Sequence, residues 1–147
     1  LNALIWSSLR NPILAFREIY YMSTRKNKEL KQQRARAHTD YGSLTILLPQ
    51  AESSGLQVFH NNEWITVPNP DNSVVINLVD LMALWTSGRW QSTLHRVVAL
   101  PNQPSGKSLA FFHQPDWEAK IYSIGGSNNE PVISGPYLME KFLSTGA

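Results

Sequence analysis

Apolar and polar positions alternate over short stretches along most of this chain, and turn-forming residues break the alternation every few positions. Period-two alternation bounded by Gly, Pro, Asn, Asp and Ser predicts half-buried strands. The stretches are Ile13–Met22, Gln33–Thr39, Ser43–Leu48, Gly55–Phe59, Glu63–Val67, Ser73–Leu78, Ser92–Leu100 and Lys107–Gln114. Asn61-Asn62, between the fourth and fifth, can form a two-residue hairpin turn because Asn tolerates positive φ. Helical signals are few. Leu1–Arg10 can make a short helix stopped by Asn11-Pro12, and Asp80–Thr86 a helical turn ended by Ser87-Gly88. Pro136–Leu143 reads as a terminal helix behind Gly135, with Pro in its first turn. Eight short strands at close spacing predict an all-β sandwich or barrel with peripheral helices.

Length fits one domain, since 147 residues are enough to bury a real core. The absence of cysteine excludes a disulfide scaffold, a thiol nucleophile and thiolate metal sites. Thirteen basic against eleven acidic side chains give +2, too small a bias to imply nucleic acid or an anionic membrane. Six of the basic residues fall within Arg25–Arg36. No aromatic is interleaved there for base stacking, so the run reads as a solvated loop. No apolar run is long enough to span a bilayer, and Leu1–Leu9 has no preceding basic segment to make it a signal peptide. The expectation is a cytoplasmic protein. The chain starts at Leu1 rather than Met, and we expect it to belong to a longer polypeptide.

The chemistry-bearing pattern is His38-Thr39-Asp40 with His95 on a later strand. On a strand, positions i and i+2 share a face. Two imidazoles and one carboxylate are the donor set of a non-haem iron(II) site with open positions. A hydrogen-bonded histidine at a strand end would leave the same short pattern. Other candidates are weaker. Arg96 could clamp a carboxylate or face outward, His60 and His113 lack partners at ligand spacing, and Asp80 fits a loop or helix-capping role. Trp6, Trp64, Trp85, Trp90 and Trp117 read as core and rim packing, and one of Phe111 and Phe112 is expected to line a pocket.

Longer blocks carry a resemblance. Ala37–Leu48, reading AHTDYGSLTILL, is followed by Gly55-Leu56-Gln57-Val58 with Trp64 and Val67. Then come Asn77-Leu78-Val79-Asp80-Leu81, Trp85-Thr86-Ser87-Gly88, Ser92-Thr93-Leu94-His95-Arg96-Val97 and Ser108-Leu109-Ala110-Phe111-Phe112. In this order they resemble the 2-oxoglutarate- and iron(II)-dependent dioxygenases, in the branch that includes isopenicillin N synthase. The resemblance runs from about Ile13 to Phe142. It implies a double-stranded β-helix, or jelly roll, over residues 13–147, with residues 1–12 as the tail of a helical N-terminal region.

The resemblance also implies roles. His38, Asp40 and His95 become the iron(II) ligands, with 2-oxoglutarate as co-substrate, and a small organic substrate and molecular oxygen as the other partners. The family's 2-oxoglutarate tyrosine falls on Tyr21, and the serine of its Arg-x-Ser motif on Ser108. The arginine position holds Gly106, which cannot grip a carboxylate. Lys107 is the neighbouring cation, and a bulge at Gly106 would be needed to turn it inward. The expectation is therefore a dioxygenase that hydroxylates or desaturates its substrate, with the carboxylate seat shared by Tyr21, Lys107 and Ser108. The alternatives are an isopenicillin N synthase-like oxidase that does not use 2-oxoglutarate, and a non-catalytic metal-binding barrel.

Overall fold

The computed structural model describes residues 8–24, 33–50, 55–125 and 130–145. Eight strands form the frame: β1 (Pro12–Tyr21), β2 (Gln33–His38), β3 (Leu44–Pro49), β4 (Leu56–His60), β5 (Glu63–Thr66), β6 (Val75–Leu78), β7 (His95–Val98) and β8 (Gly106–Asp116). One sheet has the order β1-β8-β3-β6 and the other β2-β7-β4-β5, and every pair is antiparallel. This interleaved order is that of an eight-stranded jelly roll, the double-stranded β-helix. Helix α1 (Asp80–Trp85) follows β6. A two-residue ladder, β9 (Lys120–Ile121) with β10 (Val132–Ile133), leads into the terminal helix α2 (Ser134–Thr145).

The expected strands all form, with ends shifted by a few residues. β7 is shorter than Ser92–Leu100, and β8 runs on to Asp116, where it pairs with Pro12 at the start of β1. Asn61 and Asn62 adopt φ of 49° and 64°, the left-handed pair that a two-residue hairpin requires. The helix expected over Leu1–Arg10 falls largely outside the described residues, and Ser8–Arg10 form a turn and bend. The basic run overlaps the strand expected over Gln33–Thr39, and there the strand holds rather than the loop. Residues 25–32 lie outside the described residues, whereas Arg34 and Arg36 belong to β2.

The largest fully buried aliphatic side chains lie on the flank of the barrel rather than inside it. Leu81 and Trp85 of α1 pack with Ala119 and Ile121, and Met82, Leu84, Val132 and Tyr137 close around them. Gly135 lets α2 approach this flank. A Cβ there would stand 2.2 Å from the Trp117 ring. Lys141 of α2 reaches back to Asp80 Oδ2 at 2.9 Å, and this hydrogen bond raises the lysine pKa. Trp85 is buried, while Trp90 and Trp117 are surface residues, and Trp6 is outside the described residues.

Inside the barrel the picture is different. Cross-strand partners share a face of a sheet. Thr45, Asn77, Phe112 and Ala15 lie in one such row, and Leu47, Ala110 and Arg17 in the next. Ser108 pairs with Ile19, and Gly106 with Tyr21, further along β8. Along this face β8 carries Gly106, Ser108, Ala110, Phe112 and Gln114, mostly small or polar, so the interior keeps room for a ligand.

His113 lies on the opposite face of β8. Its Nδ1 is 2.7 Å from Ser43 Oγ, and burial lowers its pKa below the ordinary histidine value of 6.5. Protonation is therefore favoured by unfolding. The stability gained from neutral His113 is present above about pH 6.5 and lost as pH falls through the folded-state pKa. His113→Gln should lose less melting temperature than the wild type between about pH 7.5 and about pH 5. Equal losses would show that His113 does not contribute.

Candidate functional site

His38 ends β2 and His95 begins β7, directly opposite each other in the ladder, with ring centroids 4.3 Å apart. Asp40 is not on the strand. β2 stops at His38, so the same-face argument from strand alternation does not apply to the aspartate. The turn that carries it is held from α1 instead. Asp80 N–H donates to the Asp40 carbonyl and Leu81 N–H to the Gly42 carbonyl, each at 3.0 Å. Two N–H groups of the first helical turn, which have no intrahelical acceptor, thus fix the turn's shape.

The carboxylate is divided in its work. Asp40 Oδ2 accepts from Thr45 Oγ1 at 2.8 Å and from Asn77 Nδ2 at 3.0 Å. Oδ1 faces His38 Nε2 at 3.8 Å and His95 Nε2 at 3.9 Å. Those separations exceed hydrogen-bond range, so no proton bridges the three. His38 Nδ1 donates to the Arg36 carbonyl at 2.6 Å and His95 Nδ1 to the Thr93 carbonyl at 2.9 Å. Carbonyls only accept, so each Nδ1 carries a proton, and in the neutral ring each Nε2 then presents a lone pair. One ligand atom from each residue lies within 4.8 Å of the others. The His38 side chain is 45% exposed, against 14% for His95 and 12% for Asp40, so the cluster opens on the His38 side. The arrangement fits a divalent cation held on one face with free positions opposite.

The other candidates separate by the face they occupy. Tyr21 and Ser108 lie on the interior face of their strands, and the Ser108 hydroxyl is buried with no partner among the described residues. Lys107 does not share that face. β1 and β8 stay in register from Ile13 to Tyr21 with no bulge at Gly106. The lysine therefore points outward, where its Nζ pairs with Glu18 Oε1 at 2.6 Å, and this hydrogen bond raises its pKa. The expected inward-facing Lys107 is corrected accordingly.

Arg96 also faces outward. It donates to Gln57 and lies over the Trp64 ring at 3.9 Å rather than clamping an interior carboxylate. Asp80 serves the α1–α2 contact, and His60 is exposed beside the hairpin turn. Of the two phenylalanines, Phe112 shares the Thr45 face that looks toward Asp40. Thr45 and Asn77 fall inside recognisable sequence blocks, but no spacing rule joins either of them to Asp40.

A jelly roll whose interior gathers two imidazoles and one carboxylate is the frame of a non-haem iron oxygenase. The chain belongs to the 2OG-Fe(II) oxygenase superfamily, whose family model matches residues 12–115. Among curated proteins it is similar to a 1-aminocyclopropane-1-carboxylate oxidase of Diospyros kaki, 42% identical over 87 residues, covering 59% of this chain and 27% of the relative. It is also similar to the validamycin A dioxygenase of Streptomyces hygroscopicus subsp. limoneus, 35% identical over 120 residues, covering 75% of this chain and 33% of the relative. Among solved structures, a full-length Neurospora crassa protein in complex with alpha-KG and thymine superposes with a TM-score of 0.84 at 32% identity. That match covers 95% of this chain and 46% of the Neurospora chain. The chain thus spans a third or less of these curated relatives and about half of this structural one. No helix among the described residues is long and apolar enough to cross a membrane.

Proposed function

We propose that the protein is an iron(II)- and 2-oxoglutarate-dependent dioxygenase that hydroxylates or desaturates a small organic substrate, using molecular oxygen, in the cytoplasm. The observation that carries this reading is the convergence of His38 Nε2, His95 Nε2 and Asp40 Oδ1, with each of the three side chains fixed from behind by a hydrogen bond. Family membership and the alpha-KG complex of the Neurospora crassa protein support the choice of metal and co-substrate.

Iron(II) held by His38, Asp40 and His95 would supply the oxidative chemistry, coupling oxygen reduction to oxidation of 2-oxoglutarate to succinate and of a substrate C–H bond. The chain's own contribution is positional. The Arg36 and Thr93 carbonyls hold both imidazoles in the tautomer that can ligate. Thr45 and Asn77 occupy one carboxylate oxygen and leave the other free for the metal. With the three donors on one side, the other side of the site would stay open to co-substrate and oxygen. Phe112 and Ala15 give the interior an apolar patch beside the Asp40 anchors, suited to the body of an organic substrate.

Gly106 and the outward Lys107 favour one second reading, an oxidase that keeps the metal but takes electrons from another reductant. Succinate formation separates the two. Iron-loaded protein given 2-oxoglutarate, oxygen and a panel of candidate substrates should release succinate in step with substrate oxidation. Substrate oxidation that proceeds equally without 2-oxoglutarate would establish the oxidase in its place.

A further inference from the structure

The interior of this barrel lacks the cation expected on β8, because position 106 is glycine and Lys107 is paired outside. A carboxylate drawn into a partly buried site needs a compensating charge or several hydrogen bonds. Three features converge at that end of the interior. Tyr21 stands opposite Gly106 in the β1–β8 ladder. Ser108, two residues along on the same face, is 4% exposed and its hydroxyl has no partner among the described residues. From the other sheet, the guanidinium of Arg34 on β2 lies over the Tyr21 ring, 5.4 Å from its centroid. Arg34 is half-buried, and its Nη2 donates to the Met22 carbonyl at 2.6 Å. It makes no ion pair among the described residues, and the Met22 carbonyl takes up one of its five N–H donors.

Resting on the function proposed above, we infer that Arg34 supplies the missing cation, so that Arg34, Tyr21 and Ser108 seat the distal carboxylate of 2-oxoglutarate. The charge comes from β2 in the facing sheet rather than from β8. Glycine at 106 removes the side chain that would otherwise stand opposite Tyr21 and compete for that space. The backbone bond to Met22 and the aromatic face hold the guanidinium before the ligand arrives, which reduces the ordering cost of binding. Arg17 is a second cation to weigh, since its position on β1 faces inward. It is exposed, pairs with Ala110 one row nearer Asp40, and has no partner among the described residues that fixes its side chain.

The test is calorimetric titration of 2-oxoglutarate into anaerobic, manganese(II)-loaded protein, with 2-oxobutanoate as a parallel ligand. The second acid keeps the chelating 2-oxo acid group and lacks the distal carboxylate. Arg34→Gln should weaken 2-oxoglutarate binding about ten- to a hundredfold, the usual worth of a charge-assisted hydrogen bond. It should leave manganese(II) and 2-oxobutanoate affinity unchanged. Adding Gly106→Arg to Arg34→Gln should restore most of the loss, and Arg17→Gln should bind 2-oxoglutarate as the wild type does. If Arg34→Gln does not fold, Arg34→Lys carries the same two-ligand comparison, with a smaller selective loss expected because lysine is a point charge rather than a fork. Unchanged 2-oxoglutarate affinity in the Arg34 variant, an equal loss for both acids, or a loss that appears in Arg17→Gln instead would overturn the assignment and leave the dioxygenase reading intact. A wild-type protein that binds manganese(II) but not 2-oxoglutarate would overturn both.

Discussion

Asp40→Ala should abolish the rise in melting temperature that manganese(II) gives the wild-type protein under anaerobic conditions. Asp40 is the only anionic member of the His38, Asp40 and His95 cluster, so its loss removes the charge that offsets a divalent cation. A ligand bound only by the folded state stabilises it by about 2.7 kcal/mol at a hundredfold excess over its dissociation constant. That contribution should vanish in the variant. Asp40→Asn separates charge from shape, because the amide can still accept from Thr45 Oγ1 or Asn77 Nδ2 while losing the anion. It should bind manganese(II) far more weakly than the wild type while unfolding close to the wild-type temperature without metal. Asn77→Ala leaves the carboxylate in place but loosens its orientation, and partners behind a ligand are typically worth about ten- to a hundredfold in metal affinity. The expected order of affinity is wild type, then Asn77→Ala, then Asp40→Asn, then Asp40→Ala. Equal manganese-induced shifts in the wild type and Asp40→Ala would show that the metal binds elsewhere.

Legibility of this fold follows the period of burial. Each of the eight barrel strands has one face turned to the interior, and alternation exposes such strands directly. The β9–β10 ladder has two residues on each side, too few for any period to register. The candidate metal donors are legible through the words around them rather than through geometry. His38 and Asp40 meet His95 because α1 pins the turn after β2, not because two strand positions share a face. Thr45 and Asn77 are invisible as anchors in the sequence because their meeting depends on how β3 and β6 pair beneath that turn. Lys107 adjoins the vacant position and so reads as available, yet unbroken register turns it outward. Arg34 falls both in the strand expected over Gln33–Thr39 and in a basic run read as a solvated loop, and neither reading points to Tyr21, beside which β2 carries it.

Gly42→Ala should lower both the melting temperature without metal and the manganese(II) affinity. Gly42 lies in the turn between His38 and β3, where the chain passes close against β8. A Cβ at this position would stand 2.5 Å from the His113 carbonyl oxygen and 3.1 Å from Gln114 Oε1. The nearer atom is backbone in a strand paired on both sides, so it cannot swing away as a side-chain tip can. The turn must move instead. Moving it strains Ser43 N–H to His113 O and Leu81 N–H to Gly42 O, each 3.0 Å long, and the second of these shapes the turn around Asp40. Overpacking of this kind costs about 1–3 kcal/mol, which corresponds to a fall of several degrees in a domain of this size. Displacement of Asp40 should add a loss of metal affinity that stability alone does not produce. Gly88→Ala supplies the comparison. Gly88 has φ of 76°, and a Cβ added there would meet nothing within 4 Å, so alanine strains only the local backbone. It should lower the melting temperature modestly and leave manganese(II) affinity at the wild-type value. If Gly42→Ala matches Gly88→Ala in both measurements, the turn tolerates a side chain and its close approach to β8 does not hold Asp40 in place.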